Sequence, residues 1–252
     1  MDSARIETDI PILGEAKIPS PVQNRAQGDN GIPFVKDNER VVIDVNAPSL
    51  AQQFKDGREP SSFELAGPRG NIFFDPSNLR CALVTCGGLC PGLNDIIRSI
   101  FLELHWGYGV QTIYGIRFGL QGFIPKFGHQ VIDLTPDYVV NIHERGGSVL
   151  GSSRGPQDVE EIVDCLERMN VGILFMIGGD GTLIAATRIA DVILKRKLKI
   201  SVVGVPKTID NDIFLVSRSF GFDTAVDVAT RAIMSAHNEA EGYPNGIGLL
   251  KL

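Results

Sequence analysis

Short apolar runs alternate with amphipathic segments from about residue 79 onward. The runs at 81–85, 110–116, 171–177 and 200–205 are rich in valine and isoleucine or bounded by glycine and proline, which predicts strands. The run at 171–177 is almost continuously apolar, as a strand must be in a parallel sheet that is covered on both faces. The run at 200–205 is likewise predicted to be a buried strand that ends at a proline.

Between these runs, apolar residues recur at spacings of three and four, which predicts helices at 93–106, 158–169 and 182–197. A further helix is expected after Asp223, which can cap it, and residues 246–252 have a strand pattern. Strands and helices therefore alternate five or six times. This order predicts an α/β fold built on a doubly wound, mainly parallel sheet.

Two shorter segments complete the predicted domain. Residues 118–123 are expected to form a loop, and Pro136 is expected to open a short helix that carries His143. Because no acidic partner stands beside it, His143 is interpreted as a surface or packing residue rather than a catalyst.

The first 75 residues differ from the rest of the chain, because proline and charged residues are frequent there and no long helical pattern occurs. This composition predicts an extended N-terminal arm over residues 1–75 that packs on the main body or on another subunit. Partial disorder of the arm is the alternative. The predicted organisation is this arm followed by one α/β domain at 76–252.

Composition and charge exclude several classes of function. The chain has 252 residues, 28 glycines and a formal net charge of −6, so no nucleic-acid partner is expected. Its four cysteines lack partners at zinc-site spacing and are expected to be reduced thiols. No apolar stretch is long enough to span a membrane, and the first residues lack the features of a signal peptide. The predicted location is cytoplasmic.

Candidate chemistry follows the strand predicted at 200–205. Lys207, Thr208, Asp210 and Asp212 come directly after it, and ligands of open α/β sheets bind at the carboxyl ends of strands. These side chains are therefore expected at the ligand-binding edge. A loop with solvated acids is the alternative.

Three other loops at strand ends carry complementary groups. The turn at 87–88 and the segment 178–181 are rich in glycine, which lets backbone N–H groups approach a phosphate, and Arg154 can pair with one. Asp180 suits Mg²⁺ that is held beside a polyphosphate, although it could instead cap the next helix. Together with an acid that is available as a base, these loops predict phosphoryl transfer.

Four motifs resemble the 6-phosphofructokinase family. They are CGGLCPGLN at 86–94, GGDGT at 178–182, PKTIDND at 206–212 and GFDTA at 221–225. The resemblance extends over about residues 66–252 and implies transfer of phosphate from Mg-ATP to the 1-hydroxyl of fructose 6-phosphate. The product of this glycolytic reaction is fructose 1,6-bisphosphate.

The resemblance also implies roles for individual residues. Asp210 would be the base, Thr208, Asp212 and Lys207 would act with it, and Asp180 would hold Mg²⁺. Thr208, Ile209 and Asp210 would face the sugar phosphate. The residues implied to line the nucleotide phosphates are Gly88, Arg154, Gly155, Gly179, Asp180, Gly181 and Thr182.

Two positions bear on the phosphoryl donor. Family members that use pyrophosphate typically carry Asp at the position of Gly181, so Gly181 indicates ATP. They also carry Lys at the position of Lys207, where the common bacterial ATP enzymes have Gly. This combination resembles the ATP-using branch of plants and of some protists and bacteria. A pyrophosphate-dependent enzyme is the first alternative, and a kinase of NAD or lipid, which shares GGDGT, is the second.

Family members continue beyond this sequence with a second domain that binds the sugar phosphate. We therefore expect the 252 residues to be a fragment, and a non-catalytic chain that only binds nucleotide is a third alternative. The resemblance further implies a homo-oligomer, either a dimer or a tetramer.

Overall fold

The computed structural model describes residues 8–22 and 33–251, which divide into two compact units. One unit takes the described residues up to Asn78 together with His105–Gly109, and the other takes 79–104 and 110–251. The predicted arm partly falls on residues 1–7 and 23–32, and the predicted last strand reaches Leu252. Those positions lie outside the described residues.

The first unit contains more regular structure than the sequence analysis predicted. Its elements in chain order are β1 (Ile18–Pro19), β2 (Arg40–Val42), α1 (Ala47–Lys55), β3 (Ser62–Glu64) and β4 (Asn71–Ile72). The strands pair antiparallel, β1 with β4 and β2 with β3. The helix α1 buries no residue, although Ala47, Leu50, Ala51 and Phe54 recur at spacings of three and four along it. Its signals are local: Asn46 accepts a hydrogen bond from the Ser49 N–H at 3.1 Å, and a proline stands in the first turn.

A five-stranded sheet organises the second unit. Its strands are β5 (Arg80–Thr85), β6 (Thr112–Ile116), β7 (Ile132–Asp133), β8 (Ile173–Gly178) and β9 (Ser201–Pro206). Their order across the sheet is β7-β6-β5-β8-β9, and all neighbours are parallel except β6 and β7. The prediction of an α/β fold with a mainly parallel sheet is confirmed.

The helices of this unit are α2 (Leu93–Leu102), α3 (Pro136–Val139), α4 (Val159–Arg168), α5 (Asp180–Lys195) and α6 (Phe222–Glu241). A π-helical turn, Glu103–Gly107, follows α2 in the chain. No helix in the described part of the chain is long and apolar enough to cross a membrane.

The main core lies between the sheet and the helices α4 and α5. Ala82 and Val84 of β5 pack there with Ile162 of α4 and Ile189 of α5, and all four are almost fully buried. Alternate residues of a strand point to opposite faces, and Leu83, also fully buried, lies outside this cluster. Both faces of β5 are therefore covered, which explains why its sequence is continuously apolar.

Two predictions of buried or regular structure were wrong. The strand β9 is half-exposed, with Val203 38% exposed, because it is the edge strand of the sheet and only β8 pairs with it in the described residues. Residues 246–251 form no strand. Gly246 instead lies against the carbonyl of Ala240 near the end of α6, where a Cβ would come within 2.0 Å.

Three further predictions, one about a loop and two about helices, also need correction. The helix that Pro136 opens ends at Val139, and His143 lies in a separate 3₁₀ turn, Ile142–Glu144. The expected loop at 118–123 is mostly a 3₁₀ helix, Gly119–Phe123. Asp223 does not cap α6, because Gly221 is the N-cap and Asp223, which is paired with Arg218, lies in the first turn.

The core between the sheet and α5 should dominate the stability of this unit. Ile189→Ala removes a fully buried side chain and should lower the free energy of unfolding by about 2–5 kcal/mol. Leu194→Ala, at a position of the same helix that is 41% exposed, should change it by less than about 0.5 kcal/mol. Chemical denaturation of both variants measures the difference, and equal losses would show that this face of α5 is not core.

Candidate active site

A cavity of about 650 Å³ lies at the carboxyl ends of β5, β8 and β9. All twelve residues assigned to the site from sequence line it. The structure thus brings the four predicted loops to one place, while the role of each residue stays a prediction. These twelve are Gly88, Arg154, Gly155, Gly179, Asp180, Gly181, Thr182, Lys207, Thr208, Ile209, Asp210 and Asp212.

The loop after β8 leads directly into the N-terminus of α5. Gly178 must be glycine there, because a Cβ would lie 2.1 Å from the Thr182 hydroxyl oxygen. The N-cap is Gly179, which provides no side-chain cap, and Asp180 is the first helical residue. Asp180 therefore does not serve as the cap that was its alternative role. Its carboxylate is exposed at the cavity, beside the N–H groups that begin the helix.

The lysine after β9 connects three of the loops. Lys207 is 5% exposed, its Nζ donates to the Gly88 carbonyl, and its N–H donates to the Gly178 carbonyl at 2.9 Å. Burial is the main cause that lowers the pKa of Lys207 below the value of a free lysine. The Cys90 and Cys86 thiols act against this shift, and the charge of Arg154 adds to it.

Thr208 organises the two acids of the same loop. Its hydroxyl donates to Asp212 Oδ1 at 2.6 Å and accepts a hydrogen bond from the Asp210 N–H at 3.1 Å. Both carboxylates are exposed and line the cavity. They differ in their contacts, because the Asp212 carboxylate accepts a hydrogen bond from the Thr208 hydroxyl, whereas Asp210 is hydrogen-bonded to Thr208 through its backbone N–H.

Residues 217–221 follow this loop in the chain and hold it through hydrogen bonds. Ser219 Oγ donates to the Thr208 carbonyl at 2.8 Å, and the Ser219 N–H donates to Asn211 Oδ1 at 2.7 Å. Cys90 Sγ donates to the Phe220 carbonyl at 3.1 Å. Sequence reasoning did not identify Cys90 or Ser219 as supports, because their contacts join positions that are far apart in the chain.

The two cysteines that flank the Gly87–Gly88 turn are buried thiols. Burial raises the pKa of Cys86 to about 11 and raises that of Cys90. Ionisation of both thiols is therefore less favourable than that of a free cysteine. All four cysteines are free.

The cavity is also lined by residues that the sequence analysis did not name, and three of them lie on α5: Ile184, Ala185 and Arg188. They lie three, four and seven residues after Gly181 on α5, which places them on one helical face. This spacing was a signal in the sequence that could have identified them. The exposed Ile184 offers an apolar surface and Arg188 a charge.

A resident metal centre is not built into the described residues, since they contain no group of three or more His, Cys, Asp or Glu that could hold one. Mg²⁺ in phosphoryl-transfer sites usually takes one or two carboxylates, with phosphate and water as the other ligands. Asp180 at the wall of the cavity fits that arrangement.

Comparison with known proteins agrees with this geometry. The family model described as Phosphofructokinase matches residues 80–250. The chain belongs to the phosphofructokinase family. The match extends over the whole five-stranded sheet, which begins at Arg80, and over all four loops of the cavity.

Two relatives illustrate the similarity. An ATP-dependent 6-phosphofructokinase of Borreliella burgdorferi is 46% identical over 247 residues, which cover 98% of this chain and 55% of that protein. The ATP-dependent 6-phosphofructokinase 7 of Arabidopsis thaliana is 44% identical over 234 residues, which cover 93% and 47%. The chain spans about half the length of the curated relatives it matches.

A solved structure shows the same fold. The crystal structure of the pyrophosphate-dependent phosphofructokinase from Marinobacter aquaeolei matches with a TM-score of 0.57 at 21% identity, over 65% of this chain and 42% of that chain. At this identity the likeness concerns the fold alone. It supports the sheet topology and does not bear on whether ATP or pyrophosphate is the phosphoryl donor.

The contact of Gly221 with the turn after β5 predicts a strong effect on stability. A Cβ on Gly221 would lie 2.2 Å from the Pro91 carbonyl oxygen, and the residue has φ +84. Gly221→Ala should therefore destabilise the protein by more than about 3 kcal/mol. Gly128→Ala is the matched control, because Gly128 has φ +64 but open space around it, and it should cost only about 1–2 kcal/mol. Thermal unfolding of both variants tests the difference, which vanishes if backbone strain alone matters.

Proposed function

We propose that this protein transfers a phosphoryl group from Mg-ATP to the 1-hydroxyl of fructose 6-phosphate in glycolysis, which agrees with the name ATP-dependent 6-phosphofructokinase that its relatives carry. The observation that carries the proposal is the convergence of glycine backbones, three cations and three carboxylates on one cavity. Phosphoryl transfer needs these groups, because catalysis there consists mainly of positioning and charge stabilisation. In this proposal residues 76–252 are the nucleotide-binding domain and 1–75 are an arm.

The donor side of the cavity would bind the nucleotide phosphates. Gly88, Gly155 and the segment 179–182 offer backbone N–H groups and the N-terminus of α5, while Arg154 offers a positive charge. Asp180 would hold Mg²⁺, which when bound neutralises charge that develops on the phosphates. The apolar Ile184 and the neighbouring Ala185 would face the rest of the nucleotide.

The acceptor side would be formed by the loop after β9. Asp210 accepts the proton of the sugar 1-hydroxyl, whose oxygen forms a bond to the γ-phosphorus as the bond from that phosphorus to the β–γ bridging oxygen breaks. ADP leaves with the electron pair of that bond. Thr208 keeps Asp212 in place at 2.6 Å, and Ile209 with Thr208 and Asp210 faces the sugar phosphate. Lys207 lies between the donor and acceptor loops.

ATP is the proposed donor because of the space around Gly181. A Cβ there would meet no atom within 4 Å, so the position is open to a bulky nucleotide. The relatives at 46% and 44% identity are both named ATP-dependent. A pyrophosphate-dependent enzyme is the second candidate, since Lys207 is typical of pyrophosphate users in the resemblance described above.

A location in the cytoplasm and a homo-oligomeric assembly are proposed as well. Four free thiols support the first, and the resemblance to the family supports the second. Size-exclusion chromatography with light scattering measures the assembly directly.

The proposal is tested by assaying the purified protein with fructose 6-phosphate and either Mg-ATP or Mg-pyrophosphate, with Mg-ATP binding measured in parallel by calorimetry. We expect binding of Mg-ATP and formation of fructose 1,6-bisphosphate with ATP alone. Binding without turnover would support the alternative of a chain that only binds nucleotide. Absence of both activities and of binding would overturn the proposal.

Gly181→Asp tests the choice of donor. The substitution places a carboxylate in the open space of the cavity and should weaken Mg-ATP binding roughly 100-fold through charge repulsion and lost volume. Folding should be unaffected, because a Cβ at Gly181 meets no neighbour. Gly181→Asn has the same size without the charge and should lose less affinity. Unchanged Mg-ATP affinity in the Asp variant would contradict the assignment of this space to ATP.

Asp210→Asn tests the proposed base. The turnover number should fall by about 10²–10⁴-fold, because the amide cannot accept the proton, while the affinity for Mg-ATP should stay near that of the unmodified protein. Asp191→Asn, at an exposed position of α5 outside the cavity, is the control. Full turnover in the Asp210 variant would exclude it as the base.

A further inference from the structure

Three hydroxyl groups hold the loop that carries Arg154 through hydrogen bonds, and none of them has a role in the function proposed above. Thr85, the last residue of β5, is only 1% exposed. Its Oγ1 donates to the Gly151 carbonyl at 2.7 Å and lies 2.7 Å from Ser148 Oγ. A hydroxyl has one proton to donate, so Ser148 is the donor to Thr85. The end of β5 is thereby joined to the loop at two points.

A second pair of bonds joins the same loop to the turn that follows β5. Ser152 Oγ donates to the Gly87 carbonyl at 2.6 Å, and the Gly87 N–H donates to the Ser153 carbonyl at 3.2 Å. The loop thus donates one hydrogen bond to the turn and accepts one from it. Residues 151–153 are therefore held on the strand end and on the turn together.

Arg154 directly follows residues 151–153 in the chain. It is exposed, and its guanidinium lies beside Gly88, where Nη2 would be 3.6 Å from a Cβ on that glycine. An exposed arginine can adopt many rotamers, so ordering its guanidinium on a phosphate costs conformational entropy. This cost is smaller when the backbone that carries the arginine is already held in place. The hydrogen bonds described above hold the backbone at 151–153 in this way.

We propose that Thr85, Ser148 and Ser152 are positioning residues that hold Arg154 beside Gly88 for the phosphate groups of the donor. The proposal rests on the proposed nucleotide site, because Arg154 is taken to contact phosphate there. None of the three hydroxyls acts on phosphate directly: the Thr85 proton is given to the Gly151 carbonyl and the Ser152 proton to the Gly87 carbonyl. Their effect on affinity must therefore pass through Arg154.

A double-mutant cycle tests this dependence. Thr85→Val and Ser152→Ala are each made in the original protein and in Arg154→Ala, and Mg-ATP affinity is measured by calorimetry. Each single substitution should weaken Mg-ATP binding about 3- to 10-fold, the size expected for one lost hydrogen bond. In the Arg154→Ala background the same substitutions should change the affinity less than about twofold. An equal loss in both backgrounds would overturn the proposal, because it would show a general effect on the fold.

The controls separate chemistry from packing. Thr85→Ser keeps the hydroxyl and should restore affinity. Thr187→Val removes a hydroxyl that donates only within α5, to the Leu183 carbonyl at 3.2 Å, and should leave affinity unchanged. If Thr85→Val fails to fold, Ser152→Ala carries the test, because Ser152 is only partly buried.

A second measurement does not depend on nucleotide binding. The Nε–H group of Arg154, assigned by its disappearance in Arg154→Lys, is followed by NMR relaxation in the free protein. Its order parameter should fall in Thr85→Val and in Ser152→Ala and stay unchanged in Thr187→Val. An unchanged order parameter in both hydroxyl variants would refute the positioning role. If the free protein shows the expected change but binds no Mg-ATP, the positioning role stands and the proposed function fails.

Discussion

The parallel register of β5, β8 and β9 is the constraint on which the site depends. Thr85 is paired with Ile177, and Ile177 with Val205, so the three strands end level across the sheet. Because parallel strands have their carboxyl ends on the same edge, the three loops that follow must leave from neighbouring points. A slip of one residue would also turn every side chain of a strand to the opposite face. The buried apolar faces of β5 and β8 oppose such a slip, and the cavity follows from the same packing that stabilises the sheet.

Much of this arrangement could be predicted from residue patterns, and the limits have physical causes. Continuous apolar runs identify β5 and β8 because both faces of these strands are covered. The same reasoning correctly predicted that β9 is a strand but wrongly predicted that it is buried. Periodicity does not reveal that β9 is an edge strand that is paired on one side only. The helix α1 was missed because its apolar spacing extends over only two turns and lies among prolines and charged residues, where the composition indicated an extended arm.

The candidate site was more predictable than its supports. Short loops with glycine, cations and acids have local signatures, and all twelve residues assigned from sequence line one cavity. The supporting contacts are not local. Cys90 contacts the carbonyl of Phe220, and Asn94 donates to the Arg145 carbonyl at 2.8 Å while its Oδ1 accepts from the Val149 N–H. Such pairs have no spacing rule, because the fold alone brings them together.

The open space beside Gly181 has a consequence for how this family can change. A side chain added there meets no neighbour, whereas one added at Gly178 would collide with Thr182. The position that is proposed to select the phosphoryl donor can thus accept a side chain without a clash, although it stands directly before Thr182 and three residues after a glycine that the fold requires. In the proposed site, a change of donor at this position would therefore need no prior stabilisation of the fold.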